Sequence, residues 1–332
     1  MTALLEVENL SVHYGRSRRR PGHAAVDGVS LTVGPGEAVG LVGESGSGKT
    51  TIGRAILGLA APTGGSLHFD GADVTDVPAE KRAGQAADLQ VIFQDPYGSL
   101  NPSRTIRQIL TEPLTARGAL TREAANQRVG RLLHQVGLPA DALDRYPAAF
   151  SGGQRQRIAI ARALTSEPKL VICDEPVSAL DVSTQAQVLN LLADLRSELG
   201  LAYLFIGHNL AVVRNVCDRV VVLYEGRVME SGPAAELIVT PLHPYTRALV
   251  AAAPVADVAA QRLRREARRA TLAAAPDLSE PVAGSSSCPF ASRCPDAETV
   301  CGLRRPRVFT VGAFTVACHM YDRDSGHTQI RD

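Results

Sequence analysis

The sequence predicts an α/β protein with a parallel-sheet core over residues 1 to about 250. A helical subdomain is inserted at about 95–165, an Ala/Arg/Pro-rich helix and linker spans 251–287, and a small cysteine-rich segment spans 288–332. Three observations predict this organisation. Strand and helix signals alternate along the first part of the chain, as in a sheet covered by helices. The glycine-rich string Gly43-Glu44-Ser45-Gly46-Ser47-Gly48-Lys49-Thr50 falls between an apolar run, Ala38 to Val42, and a helical segment, Thr50 to Leu59. A second apolar run, Leu170 to Cys173, ends in two adjacent carboxylates, Asp174 and Glu175.

Taken in order, Leu4 to Tyr14 and Val26 to Val33 read as strands, and Gly34-Pro35-Gly36 turns the chain into Ala38 to Val42. Short, uniformly apolar runs such as that one, Leu170 to Cys173 and Ala202 to Ile206 fit buried strands. Val220 to Tyr224 and Arg227 to Glu230 flank Glu225-Gly226 as a hairpin. In the helical region Thr121 is placed to cap a helix whose inner face carries Val129, Leu132, Leu133 and Val136, and Gly137 with Pro139 ends it. Ser151-Gly152-Gly153-Gln154 is a capping box that opens the helical run Arg155 to Leu164.

Bulk composition excludes several classes. With 332 residues, 45% of them hydrophobic and 21% charged, the chain reads as an ordinary globular protein. Its formal charge of +1 gives no global argument for nucleic acid. Arg16 to Arg20 holds four arginines and Arg262 to Arg269 five, read as a solvated loop and a solvated helix face. Met1 to Leu10 carries Glu6 and Glu8 and lacks the pattern of a signal peptide. No apolar stretch is long enough to span a bilayer. A cytosolic protein with reduced thiols is expected, which reaches any membrane through a partner.

The glycine string fits G-x-x-x-x-G-K-[ST]. Backbone N–H groups of such a loop wrap a nucleotide's phosphates, the lysine reaches the β- and γ-phosphates, and the hydroxyl ligates Mg²⁺. The helix that follows aims its positive end at the same anion. Asp174 is placed to hold Mg²⁺ and Glu175 to polarise the attacking water. Ser151 to Gln154, besides capping a helix, forms a two-glycine helix N-terminus of the kind that receives anions. There is no Asn-Lys-x-Asp string for guanine and no His-Arg-Asp string of a protein kinase.

Together these strings resemble the ATP-binding cassette family, whose fold joins a RecA-like parallel sheet, an antiparallel β subdomain and an inserted helical subdomain. The resemblance implies ATP contacts from Tyr14, which would stack on adenine, through Gly43, Glu44, Ser45, Gly46, Ser47, Gly48, Lys49, Thr50 and Thr51 to Gln94 and Asp174. Mg²⁺ would be held by Thr50, Gln94 and Asp174. Ser151, Gly152, Gly153 and Gln154 match the signature, which acts on ATP bound to the opposite subunit. Phe93-Gln94-Asp95 matches the Q-loop, and Ser178-Ala179-Leu180-Asp181 matches the D-loop between subunits. His208 matches the switch histidine; the aspartate that usually follows it is Asn209 here, which leaves the contacts of the histidine open. Glu175, His208 and Gln94 are the implied catalytic set.

Phe93 to Pro102, Pro241-Leu242-His243-Pro244-Tyr245-Thr246 and Cys288 to Pro295 are similar to oligopeptide, dipeptide and nickel importer ATPases, in particular the second ATPase subunit. That similarity implies uptake of peptides, or alternatively of nickel or another small solute. The implied partners are a sister ATPase, two permease subunits and an extracytoplasmic solute-binding protein, with this chain at the cytoplasmic face of the membrane. A soluble cassette of DNA repair would need long coiled-coil insertions, one of translation two cassettes in one chain, and a regulatory cassette would lose Glu175 or Lys49.

Four of the six cysteines, Cys288, Cys294, Cys301 and Cys318, lie in the tail, whereas Cys173 and Cys217 sit beside apolar runs as core thiols. The reducing compartment disfavours disulfides among the four. A [4Fe–4S] cluster, structural zinc (though the paired spacing of most zinc modules is absent) and no metal all remain open, with His319 as an alternative ligand. The resemblance to peptide importers implies the cluster.

Overall fold

The computed structural model describes residues 3–15, 22–82, 85–115, 120–252 and 286–331. Both arginine runs, and all but the edges of the 251–287 helix and linker, lie outside these residues.

The chain opens with β1 (Leu5–Tyr14) and β2 (His23–Val33), paired antiparallel from Leu5↔Val33 to Tyr14↔His23. Leu5, Val7, Leu10 and Val12 turn inward, and the bulges along the pair keep them there despite imperfect alternation. β3 (Ala38–Val42) follows, then α1 (Lys49–Ile56) and the short strands β4 (Gly64–Phe69) and β5 (Ala72–Asp73). A four-stranded antiparallel sheet results, in the order β2-β1-β4-β5.

β6 (Leu89–Ile92) returns the chain to the main sheet, and the helices α2 (Pro96–Ser99), α3 (Ile106–Thr115), α4 (Arg122–Gln135) and α5 (Gly152–Leu164) follow. Thr121 caps α4 by accepting from Ala124 N–H at 3.3 Å, and Gly137, at φ 71°, ends it. Next come β7 (Leu170–Asp174), α6 (Val182–Leu199), β8 (Ala202–Gly207), α7 (Leu210–Val216), β9 (Arg219–Tyr224), β10 (Arg227–Pro233), α8 (Ala234–Val239) and α9 (Pro244–Ala252). The last described segment holds α10 (Thr299–Leu303) and a hairpin of β11 (Val308–Val311) and β12 (Phe314–Ala317).

The main sheet has eight strands in the order β11-β12-β10-β9-β3-β8-β7-β6. From β9 to β6 its pairs are parallel, and β9, β10, β12 and β11 are joined antiparallel. Both faces of the parallel part are buried, which is why its strands read as continuous apolar runs. Along β8, Tyr203 and Phe205 join the core that includes the helical region. Ala202, Leu204 and Ile206 join the core under α1 and the four-stranded sheet. Residue registers Val42↔Gly207, Asp174↔Ile206 and Ile92↔Cys173 bring the C-terminal ends of β3, β8, β7 and β6 to one level. Loops leaving those ends share one edge, where ligands of parallel sheets bind.

The fold agrees with the predicted class. β4, β5, β6 and the β11–β12 hairpin were not anticipated, and the last of these extends the main sheet through Glu230↔Val316 and Ser231↔Thr315. Cys173 and Cys217 are buried as core thiols.

Gly40 of β3 packs against Val213 of α7. A Cβ there would run into Val213 Cγ1 and approach Cys217 Sγ to 3.3 Å. We expect Gly40→Ala to cost roughly 1–3 kcal/mol by overpacking. The thermal midpoint should fall by about 2–10 °C; an unchanged midpoint would show that α7 does not rest on this position.

Candidate functional site at the sheet edge

The loop between β3 and α1 is built by its glycines. A Cβ on Gly43 would strike the Leu223 carbonyl oxygen of β9 and lie 2.7 Å from Ser47 Oγ. Gly48, at φ 96°, faces the Ala25 carbonyl of β2, and Gly46 stands at φ 82°. Positive φ at Gly46 and Gly48, and the close backbone approach at Gly43 and Gly48, each favour glycine. Gly48 occupies the cap position of α1 without a side chain to satisfy the first N–H groups of the helix. A helix begun in this way presents its free N–H groups and positive end to an anion.

Lys49 is buried, and its Nζ donates to Gly43 O at 2.8 Å, Glu44 O at 2.8 Å and Ser47 Oγ at 3.3 Å. Burial pushes this ammonium below its ordinary pKa, while the carboxylates of Glu175, Asp174 and Glu44 oppose the shift. Thr50 Oγ1 donates to Asp174 Oδ1 at 3.3 Å. Burial raises the Asp174 carboxyl, with the Thr50 hydrogen bond working against it. A hydroxyl beside a desolvated carboxylate is a hard-oxygen donor set, which suits Mg²⁺. These residues fit that cation.

Glu175 follows at φ 47°, a left-handed conformation costing on the order of 1–3 kcal/mol in a residue with a side chain. Its N–H donates to Ile206 O at 3.0 Å, which holds the strained turn against β8. There its carboxylate accepts from Gln94 Nε2 at 3.4 Å and lies 3.2 Å from His208 Nδ1. Residues from the ends of β6, β7 and β8 thus meet on one carboxylate beside Lys49, Thr50 and Asp174. Such an arrangement can hold a phosphate chain, a cation and a polarised water within one cleft. Asn209, in place of the expected aspartate, caps α7 by accepting from Ala211 N–H at 3.0 Å.

The remaining sequence-predicted residues lie around this centre. Tyr14, 46% exposed, pairs with His23, two residues from the Ala25 carbonyl that abuts Gly48. Glu44, Ser45 and Ser47 lie in the loop, and Thr51 is in the first turn of α1. At the start of α5 the capping box is complete: Gln154 N donates to Ser151 Oγ at 3.3 Å and Ser151 N to Gln154 Oε1 at 3.0 Å. Gly152 lies against Leu180, and Gly153 admits the Thr184 methyl of α6. Among the described residues, no hydrogen bond joins Ser151, Gly152, Gly153 or Gln154 to Lys49, Thr50, Asp174 or Glu175. Ser178 donates to Glu175 O at 3.1 Å, and Ala179 and Leu180 continue the loop. Asp181 caps α6 through Thr184 N at 3.0 Å, and its hydrogen bonds hold the carboxyl well below the usual range.

Nothing among the described residues supports the metal expected in the tail. Among the described residues no group of three or more His, Cys, Asp or Glu side chains is placed to hold a metal ion. Cys288, Cys294, Cys301 and Cys318 are thiols in a packed segment, where burial raises Cys288 to about 12 and Cys318 to about 11. Cys288 N–H is taken by Cys301 O at 2.9 Å, a protein contact that organises the segment. His319 Nε2 is engaged by Arg304 O at 2.9 Å.

Sequence reasoning missed a second set of residues at the loop. Arg293 of the tail grips the Glu44 carboxylate with both guanidinium ends, at 2.8 Å each. The hydroxyl of Tyr245 accepts from Glu44 N at 3.0 Å. Both lie within strings already likened to importer ATPases, so the signal was present without a role attached.

Comparison with known proteins agrees with this geometry. A family model described as "ABC transporter" matches residues 26–178, and one described as "Oligopeptide/dipeptide transporter, C-terminal region" matches 229–301. A Brucella ovis protein whose name places it in peptide import is 50% identical over 307 residues, covering 92% of this chain and 94% of that protein. The oligopeptide transport ATP-binding protein AppF of Bacillus subtilis is 44% identical over 325 residues, covering 96% and 97%. Among solved structures, cbiO1 from Clostridium perfringens, part of an ABC transporter complex, aligns with TM-score 0.65 at 28% identity, over 72% of this chain and 92% of that one. The ATP-binding cassette MJ0796, a dimer bound to ADP and Pi, aligns with TM-score 0.62 at 30% identity, over 69% and 98%.

The conformation of Gly48 gives a direct check on the loop. Gly48→Ala should weaken binding of a fluorescent ATP analogue at least about tenfold, since a side chain is strained at that φ by 1–2 kcal/mol before any clash. Unaltered affinity would mean that the loop does not hold the phosphates in this conformation.

Proposed function

The chain belongs to the ABC transporter family, and from that membership we propose that it is the ATP-binding and ATP-hydrolysing subunit of an importer that carries di- or oligopeptides across the cytoplasmic membrane. The observation that carries the reading is the Glu175 carboxylate, held between Gln94 and His208 beside the Thr50–Asp174 pair.

Lys49 and the N–H groups of the loop neutralise and orient the β- and γ-phosphates of ATP, and Tyr14 stacks on adenine. Thr50 and Asp174, with Gln94, would hold Mg²⁺, which would screen the charge that develops on the phosphates. Glu175 accepts the proton of the attacking water, and Gln94 and His208 fix that water in line. Ser151 to Gln154 acts on ATP bound by a second cassette, with the free N–H groups of its helix directed at the γ-phosphate. Ser178 to Asp181 links the two cassettes. The chain pairs with a sister ATPase, and the pair drives two permease subunits from the cytoplasmic face. An extracytoplasmic solute-binding protein delivers the peptide. The names of the relatives support peptide over nickel.

In the assembled complex, Glu175→Gln should lower ATP turnover by about 10²–10⁴-fold, the usual contribution of a positioned general base. ATP affinity should stay within about threefold, because a glutamine keeps the shape and the contact with Gln94. Turnover retained in this variant would remove Glu175 from the mechanism.

A further inference from the structure

We propose that Arg293, in the C-terminal tail, is a positioning residue of the nucleotide site: it holds and neutralises the Glu44 carboxylate, so that the tail sets how tightly the phosphate loop takes ATP. The proposal presupposes that ATP is the ligand of this loop.

Glu44 is gripped at every polar group. Its N–H is taken by the Tyr245 hydroxyl at 3.0 Å, and its carbonyl receives the Lys49 ammonium at 2.8 Å. Its carboxylate meets Arg293 in a two-pronged pair, Nη1 to Oε2 and Nη2 to Oε1, each at 2.8 Å. Paired bonds of this kind fix the orientation of a carboxylate as well as its charge. The arginine is itself immobilised. Nη1 also donates to Tyr224 Oη at 3.3 Å, and the guanidinium lies 5.6 Å and 5.7 Å from the Tyr224 and Phe290 ring centres. Those rings pack edge-on at 5.3 Å, and Tyr224 and Tyr245 at 4.7 Å. The bond to Glu44 holds the guanidinium firmly protonated.

The pair is 44% and 42% exposed, so its contribution to folding stability is small. Its position gives it another consequence. Glu44 adjoins Gly43, and its charge is felt at Lys49. A bare carboxylate there would repel a triphosphate and be free to swing toward the lysine. With Arg293 in place that charge is matched by an equal and opposite one, and the loop is tethered to a segment 249 residues further along the chain.

The test uses the full chain and a fluorescent ATP analogue at fixed Mg²⁺, with steady-state kinetics in the assembled complex. Arg293→Ala should raise both the dissociation constant and KM for ATP by about three- to tenfold, with kcat within about twofold, as loss of uniform binding requires. In a Glu44→Gln background the same replacement should change affinity by less than about twofold, because there is no charge left to neutralise. Arg293→Lys should recover part of the loss through its charge. Thermal midpoints close to wild type confirm that the variants fold. Unchanged affinity in Arg293→Ala, or an equal loss with and without Glu44, would overturn the proposal. An unsubstituted chain that binds no ATP analogue would instead sink the ATPase reading itself.

Discussion

Burial of the Lys49 ammonium is the constraint around which this molecule is arranged. A cation removed from water must be given hydrogen bonds and opposing charge, or it deprotonates. Here the hydrogen bonds come from Gly43 O, Glu44 O and Ser47 Oγ, so the loop curls around its own lysine. Opposing charge comes from Glu175, Asp174 and Glu44, carried by different segments. Asp174 is in turn desolvated and held above its ordinary pKa. An anion for the lysine and a cation for the carboxylates would each relieve a burial cost, and a nucleotide–Mg²⁺ pair supplies both. The site is therefore prepared by electrostatics for a ligand carrying both signs of charge.

The antiparallel half of the sheet keeps that loop in shape. The Leu223 carbonyl of β9 closes on Gly43, and Gly226 at the following turn donates to Ser47 O at 3.0 Å. Glu225 and Gly226 both take positive φ, the requirement of a tight hairpin with this twist. The carbonyl of Gly226 then receives the Asp27 N–H of β2 at 2.9 Å, and the Ala25 carbonyl closes on Gly48. The loop is thus clamped between a hairpin and a strand from the other sheet. Catalytic side chains need such a rigid frame more than they need further polar contacts.

Much of this was legible because the decisive residues are constrained locally. A loop that must wrap phosphate needs glycines at fixed offsets, and a helix cap needs Ser and Gln three apart. Gly43 to Thr50 and Ser151 to Gln154 accordingly announce themselves. Uniformly apolar strands such as β3, β7 and β8 were visible for the same reason. By contrast β4 and β5 carry few apolar residues; β4 is a strand because β1 pairs with it, a long-range fact, and β5 because β4 pairs with it. β10 runs to Pro233, past the expected Glu230, because β9 pairs with it as far as Pro233↔Arg219. Four thiols in a short segment suggested a metal, but their spacing in sequence says nothing of whether they converge, and no metal-holding group forms among the described residues. Arg293 could not be assigned from sequence, since nothing local links it to Glu44.

Tyr245, the second partner of Glu44, is placed by one buried carboxylate. Glu230 of β10, fully buried, accepts from Leu242 N at 2.8 Å and His243 N at 2.9 Å, which fixes the start of α9. His243 Nδ1 then accepts from Tyr245 N at 3.0 Å, and this requires a neutral ring nitrogen. Burial meets the requirement by lowering His243 to about 3, so the link does not break anywhere near neutral pH. Tyr245 is thereby aimed at Glu44, while β12 covers the edge of β10 that would otherwise stand open. β10 thus has the tail hairpin on one side and, on the other, β9, which lies next to the strand that leads into the nucleotide loop. Glu230, His243 and Tyr245 thus form a continuous run of hydrogen bonds from β10 to the backbone of Glu44.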